Sequence, residues 1–248
     1  MGLPTIAVPE YTLKIPSTGE EVKYRPFLVK EEKILLLAME SEKTEEIITA
    51  TKTIIENCIY GDIDVDNMPT FYVEYIFLQL RAKAKGEVLD LKYKRPKCES
   101  EIPIAIDIDT VKVERQKEHT KDIKITEDLG VMMKYPNLSL QTKIAQEDEK
   151  PEVERLFETM IDCIDYIYDK ETTYPSKDHT KEEMTIFLES LTDNQFQKIS
   201  KFFETSPVLK HNIKLHCKNK GKVPKGEKKK ECGYKEEISL EGLNSFFA

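Results

Sequence analysis

The segment covering residues 22–41, VKYRPFLVKEEKILLLAMES, constrains the fold most because it joins a charged, strand-like stretch to the most apolar helix-like run in the chain. Pro26 has no backbone N–H to donate, so we expect the strand to end there. Glu31 and Glu32 would lie in a first helical turn, where the helix dipole favours negative charge. A helix is therefore predicted from about Val29.

Apolar residues extend around this predicted helix. Leu36 and Leu37 lie near one face, and Ile34, Leu35 and Ala38 widen the apolar surface. A helix that is apolar on more than one side needs cover from more than one neighbour. We therefore expect this helix to be the centre of packing, with Leu36 buried and Leu36→Ala costing about 2–5 kcal/mol.

The rest of the chain alternates between helical and extended periodicity. Apolar spacings of three and four predict further helices over residues 44–58, 70–84, 152–168, 181–190 and 192–204. Alternating segments predict hairpins over residues 11–25, 88–108 and 208–240, with shorter extended pieces at 123–125, 130–136 and 138–140. The predicted class is α+β, with helical layers packed against short antiparallel β-hairpins, two of them zinc-knuckle-like.

A charged linker at residues 146–151 suggests a boundary. It would separate an N-terminal α+β region, residues 1–146, from a C-terminal region, residues 147–248. The first would hold a hairpin, three helices and a β-hairpin, and the second three helices, a knuckle-like hairpin and an apolar end. The alternative is one compact unit, because 248 residues suffice for one good-sized core or two small ones.

Charge and composition narrow the class of protein. The formal net charge of −8 argues against a protein that coats nucleic acid, so no nucleic-acid partner is expected. No apolar run is long enough to span a bilayer. Five scattered cysteines form no dense disulfide pattern, which fits a reducing cytoplasm. The oligomeric state stays open.

Familiar catalytic signatures are missing from the sequence. It contains no Gly-rich phosphate loop, no HExxH and no G-x-S-x-G, and none of its four histidines neighbours a candidate nucleophile. We therefore assign no catalytic and no cofactor-binding residues and expect a protein that is not an enzyme. Catalytic groups that converge from distant segments remain the alternative.

Two cysteines lie at the turns of predicted hairpins, in contexts similar to zinc knuckles. They are Cys98 in Arg95-Pro-Lys-Cys98-Glu and Cys232 in Lys230-Glu-Cys232-Gly-Tyr. A structural zinc ion needs four ligands, and with His216 or Cys217 added the set is still short. We therefore favour hairpins without metal and no cofactor, and zinc is the alternative.

Two other segments are candidates for partner contacts. The predicted tip at residues 218–230, KNKGKVPKGEKKK, is rich in lysine, and Lys228, Lys229 and Lys230 could dock on an acidic partner. A solvated loop is the favoured interpretation of this tip, and docking is the alternative. The end of the chain carries Leu243, Phe246 and Phe247, whose large apolar area suits burial against a partner. The alternative is that they fold back on their own hairpin.

Four stretches spread over nearly the whole chain resemble, in the same order, the T4-like bacteriophage baseplate hub and hub-assembly proteins. They are VKYRPFLVKEEKILLLAMES, YIFLQLRAKAKGEVLDLKYKRPKC with EIPIAIDID behind it, GVMMKYP, and CGYKEEISLEGLNSFF. The resemblance implies a non-enzymatic protein, made late in infection in the host bacterial cytoplasm. It would help to build the central hub of the tail baseplate through contacts with other hub proteins.

The resemblance leaves two roles open. Some members of the family resemble structural hub subunits retained in the mature baseplate, and others resemble assembly factors, or assembly chaperones. Relatives look as if they carry Cys-Pro-x-Cys at the first knuckle, whereas Arg95 stands in the place of the first cysteine here. This difference argues against a family metal site in this chain.

Overall fold

The computed structural model describes residues 6–15, 19–94, 101–147, 150–217 and 234–242. Within these ranges the chain forms seven α-helices and twelve β-strands, and the strands make four small antiparallel sheets. The predicted α+β class is confirmed. The buried apolar side chains gather in three clusters. No helix in these ranges is both long and apolar enough to cross a lipid bilayer.

The first cluster lies between a three-stranded sheet, ordered β1-β2-β3, and three helices. The bounds are β1 Tyr11–Lys14, β2 Glu21–Tyr24, α1 Val29–Glu40, α2 Thr44–Cys58, β3 Ile59–Tyr60 and α3 Thr70–Lys85. The first predicted hairpin and the three predicted helices are confirmed. Because α2 runs directly into β3, which pairs with β2, the helices and the sheet close on the same apolar cluster.

Helix α3 is the centre of packing. Its neighbouring residues Phe77 and Leu78 are both fully buried but belong to different apolar clusters, so α3 joins the first cluster to the second. At its start Phe71 packs edge-on against Tyr135, with ring centroids 5.1 Å apart. The sequence predicted α1 as the centre of packing, but α3 has this position in the structure.

The prediction that α1 is covered on several sides is wrong. Helix α1 buries Glu31, Leu35 and Ala38, but Leu36 is 51% exposed and Leu37 is 54% exposed. The reason is its position at the edge of the fold, where it packs chiefly against α2. Apolar composition alone did not show which side of the helix would find a neighbour.

The second cluster is formed by a hairpin and a three-stranded sheet. In the hairpin, β4 Val88–Lys94 pairs with β5 Glu101–Asp107. In the sheet, β11 Val208–His216 pairs with both β6 Lys112–Glu114 and β12 Lys235–Glu241. Burial alternates strictly along β5, as the two faces of a strand require. The two predicted hairpins are confirmed in their paired strands.

The third cluster lies between a four-stranded sheet, ordered β10-β9-β8-β7, and three helices. The bounds are β7 Asp122–Lys124, β8 Gly130–Met133, α5 Glu152–Asp162, β9 Ile164–Tyr168, β10 Thr173–Pro175, α6 Lys181–Glu189 and α7 Asp193–Thr205. Helices α6 and α7 begin with capping boxes in which Thr180 pairs with Glu183 and Thr192 with Gln195.

Two segments differ from the sequence prediction. The helix predicted over residues 152–168 ends at Asp162, because Ile164–Tyr168 form strand β9 and pair with β8. Residues 138–140, predicted as extended, begin helix α4, Leu138–Gln146. The side-chain oxygen of Asn137 caps this helix by accepting from the Leu140 N–H at 2.9 Å.

Two sheets combine strands from both sides of residue 146. Strand β6 pairs with β11, and β8 pairs with β9. The division into residues 1–146 and 147–248 stays a prediction. The pairing shows that the two regions share hydrogen-bonded sheets.

Candidate interaction site

Most side chains predicted to bind a partner or zinc lie outside the described residues. The predicted partner-binding residues there are Lys228, Lys229, Lys230, Leu243, Phe246 and Phe247, and the zinc candidates there are Cys98 and Cys232. Their assigned roles stay predictions.

The two zinc candidates that are described, His216 and Cys217, do not face the same side. His216 ends β11 with an exposed side chain, whereas Cys217 is buried in the second cluster, and its backbone N–H donates to the Tyr234 carbonyl at 2.9 Å. Neighbouring residues of extended chain point to opposite faces. Across the described ranges, no three His, Cys, Asp or Glu side chains form a group that could hold a metal ion. The described residues therefore do not support the zinc-knuckle form of these hairpins.

The buried thiols belong to the core. Cys58 and Cys163 are fully buried, and desolvation raises the pKa of Cys58 to about 11 and the pKa of Cys163 to about 12. Both thiols are therefore protonated at neutral pH and are poor nucleophiles. Both side chains therefore serve packing in the first and third clusters.

His119 joins a loop to the third cluster. Its Nδ1 lies 2.9 Å from Thr205 Oγ1, and its Nε2 lies 2.9 Å from Tyr135 Oη. Because the Thr205 hydroxyl donates to the Lys201 carbonyl, its oxygen accepts from Nδ1–H, and Nε2 accepts from Tyr135. Burial, with further effects of Arg115 and Lys121, lowers the pKa of His119, so the neutral ring is favoured. The ring thus serves packing and hydrogen bonding.

A buried carboxylate anchors the start of α1. Glu31 is fully buried and accepts from the Leu28 N–H at 2.8 Å and from Arg25 Nη2 at 2.9 Å. Burial raises the pKa of Glu31, but the hydrogen bonds from Arg25 and Leu28 outweigh it and hold the pKa below its usual value. Since Arg25 directly follows β2, this ion pair fixes the direction in which α1 leaves the sheet.

The opposite face of α1 is apolar and exposed. Val29 is 80% exposed, and the half-exposed Leu36 and Leu37 lie on the same side of the helix, with Met39 at its margin. We call these four residues the α1 face. A group of exposed apolar side chains on one side of a helix suits a protein–protein contact site. The charged residues Lys33 and Glu40, which share this side of the helix, are the sequence signal that this face meets solvent.

Comparisons with known proteins identify one relationship. A family model described as "T4 bacteriophage base plate protein" matches residues 8–248. The match covers all of the elements described above. Searches of curated proteins and of solved structures gave no match.

Proposed function

This chain belongs to the T4 bacteriophage base plate protein family, and we propose that it helps to build the central hub of the tail baseplate through protein–protein contacts. Its partners are then other baseplate hub proteins. It acts without catalysis, and assembly takes place in the host bacterial cytoplasm before the baseplate joins the virion tail.

The observation that carries this proposal is the α1 face. Four apolar side chains remain exposed on a helix whose other side is held in place by the Arg25–Glu31 ion pair. A fixed helix that presents apolar residues suits docking, because little conformational entropy is lost when a partner covers it. The pair Lys85–Glu32, with a 2.5 Å contact, further ties α1 to the central helix α3.

Two forms of this role remain open. In the first, the chain is an assembly factor that acts on hub intermediates, like an assembly chaperone. In the second, it is a structural hub subunit that is retained in the mature baseplate. The α1 face suits both, because each requires a contact with another hub protein.

Quantitative mass spectrometry of purified assembly intermediates and mature phage particles tests the proposal. We expect peptides of this chain in the hub intermediates. Their presence in mature particles as well indicates a structural subunit, and their loss from mature particles indicates an assembly factor. Absence from both fractions contradicts the proposal.

The proposal requires no metal. Metal analysis of the purified full-length protein checks this directly. Near-stoichiometric zinc would instead favour a zinc-binding interaction module, with Cys98 and Cys232 among its ligands. We expect no stoichiometric zinc.

A further inference from the structure

A cleft of about 720 Å³ opens where three helices meet. The apolar part of its lining, which we call the floor and walls, comes from α2, α3 and α4 and includes Ile47, Ile48, Val73, Leu138 and Ile144. The other lining residues, which we call the rim, are mostly polar or charged. Val73 and Leu138 are buried, whereas the three isoleucines are only half-covered. The volume is in the range of pockets that hold a ligand or a peptide segment. The cleft therefore offers an apolar floor with room for large side chains.

The end of strand β12 lies at the rim of this cleft. Gly242 lines it together with Glu241, and the Gly242 N–H donates to the Leu209 carbonyl at 3.1 Å. Gly242 has φ +69°, a left-handed conformation that glycine adopts readily and that redirects the chain after the strand. Of the described residues that border an undescribed segment, Gly242 is the one that lines the cleft.

We propose that this cleft is the intramolecular docking site of residues 243–248, Leu-Asn-Ser-Phe-Phe-Ala, with the side chains of Leu243, Phe246 and Phe247 on its apolar floor. Six residues can extend about 20 Å, so a segment attached at the rim reaches well into the cleft. The inference goes beyond the proposed function and does not depend on it.

The chemistry of this segment matches the cleft. Residues 243–248 carry no charged side chain, and each phenylalanine can bury about 150–250 Å². The rim carries four carboxylates, Glu42, Glu45, Glu74 and Glu241, against two cations, Lys43 and Arg155, so its net charge disfavours an acidic segment. Attachment at Gly242 also makes docking intramolecular, with an effective concentration on the order of millimolar. A separate partner that binds the cleft must displace a segment that is present at this effective concentration.

The chain contains eleven tyrosines but no tryptophan, so Phe246→Trp in the full-length protein introduces a single tryptophan reporter that can be excited selectively. We expect its emission maximum to be blue-shifted and protected from acrylamide quenching, at all protein concentrations. Adding Ile47→Ser or, separately, Ile144→Ser to the wall should shift the emission to the red and increase quenching. The matched control is Ile186→Ser, on exposed α6 and outside the cleft, which should leave both signals unchanged.

Far-UV circular dichroism shows whether each variant is folded, and the two independent wall variants keep the test usable if one of them unfolds. A solvent-exposed reporter in the Phe246→Trp protein would overturn the proposal. A buried reporter that responds to neither wall substitution would place the segment elsewhere and would also overturn it. A blue shift that appears only at high protein concentration would mean docking between copies and would overturn the intramolecular site.

Discussion

At the scale of single residues, His119 is where the structure predicts a pH response. Its neutral ring accepts from Tyr135 and donates to Thr205, and burial lowers its pKa below the ordinary value of 6.5. Between that lowered pKa and 6.5, the unfolded chain binds a proton that the folded chain excludes. Folding stability therefore falls as the pH drops below about 6.5.

The variant His119→Gln should lose less stability than the wild type between about pH 7 and about pH 5. At neutral pH it should be less stable by about 1–3 kcal/mol, because Tyr135 and Thr205 lose well-placed partners. Urea unfolding at both pH values measures the difference. The control His216→Gln removes an exposed histidine, so a change seen only in His119→Gln belongs to the His119 ring. An unchanged pH response in His119→Gln would contradict this account.

Gly130 marks a close approach of side chain and backbone. It pairs with Tyr168 in the β8–β9 ladder, and a Cβ added there would lie 2.2 Å from the tyrosine ring. Tyr168 crosses over Gly130 so that its hydroxyl donates to Asp122 on β7. This hydrogen bond is the main reason that the pKa of Tyr168 is raised to about 12.

Gly130→Ala should force the tyrosine ring away and cost about 1–3 kcal/mol in urea unfolding. Because the ring can then no longer reach Asp122, the pKa of Tyr168 should fall toward its usual value of about 10, as measured by absorbance titration. Tyr168→Phe is the control: it removes the hydroxyl but leaves a ring over Gly130, and it identifies the titrating group. A wild-type titration curve in Gly130→Ala would refute the close approach.

At the scale of secondary-structure elements, α1 provides a matched pair of adjacent leucines. Leu35 is 7% exposed and packs in the first cluster, whereas Leu36 is 51% exposed. Leu35→Ala should cost about 2–5 kcal/mol because it leaves a cavity. Leu36→Ala should change stability by about 0.5 kcal/mol or less. Thermal or urea unfolding measures the stability of the two variants. Equal losses of stability would show that Leu35 and Leu36 do not lie on buried and exposed faces of α1.

Local sequence signals predicted most helices and hairpins, and the failures have physical reasons. The run from Glu152 to Tyr168 has helical spacing throughout, yet pairing of Ile167 with Val131 makes its second half a strand. That partner lies more than thirty residues away, and local periodicity does not report such pairing. The start of helix α4 depends on the cap at Asn137, and the short pattern Leu138-Ser-Leu140 alone does not indicate a helix.

At the scale of the whole molecule, the sequence indicated the protein family but not the two surface features, the α1 face and the cleft. The family assignment over residues 8–248 confirms what four separated stretches suggested. Composition does not reveal the α1 face, because the burial of a helix depends on how many neighbouring elements pack against it. The cleft was missed because its walls come from three helices and from the end of β12, and α4, one of these helices, was not predicted.

The central claim is that the α1 face binds a hub protein, and its most direct measurement is co-purification with hub intermediates from infected cells. The double variant Leu36→Ser/Leu37→Ser should keep its unfolding midpoint, because both side chains are about half exposed. Its recovery with the intermediates should fall at least about tenfold. The matched double variant Val153→Ser/Leu156→Ser, on an equally exposed part of α5, should be recovered like the wild type. Wild-type recovery of the folded Leu36→Ser/Leu37→Ser protein would contradict the claim.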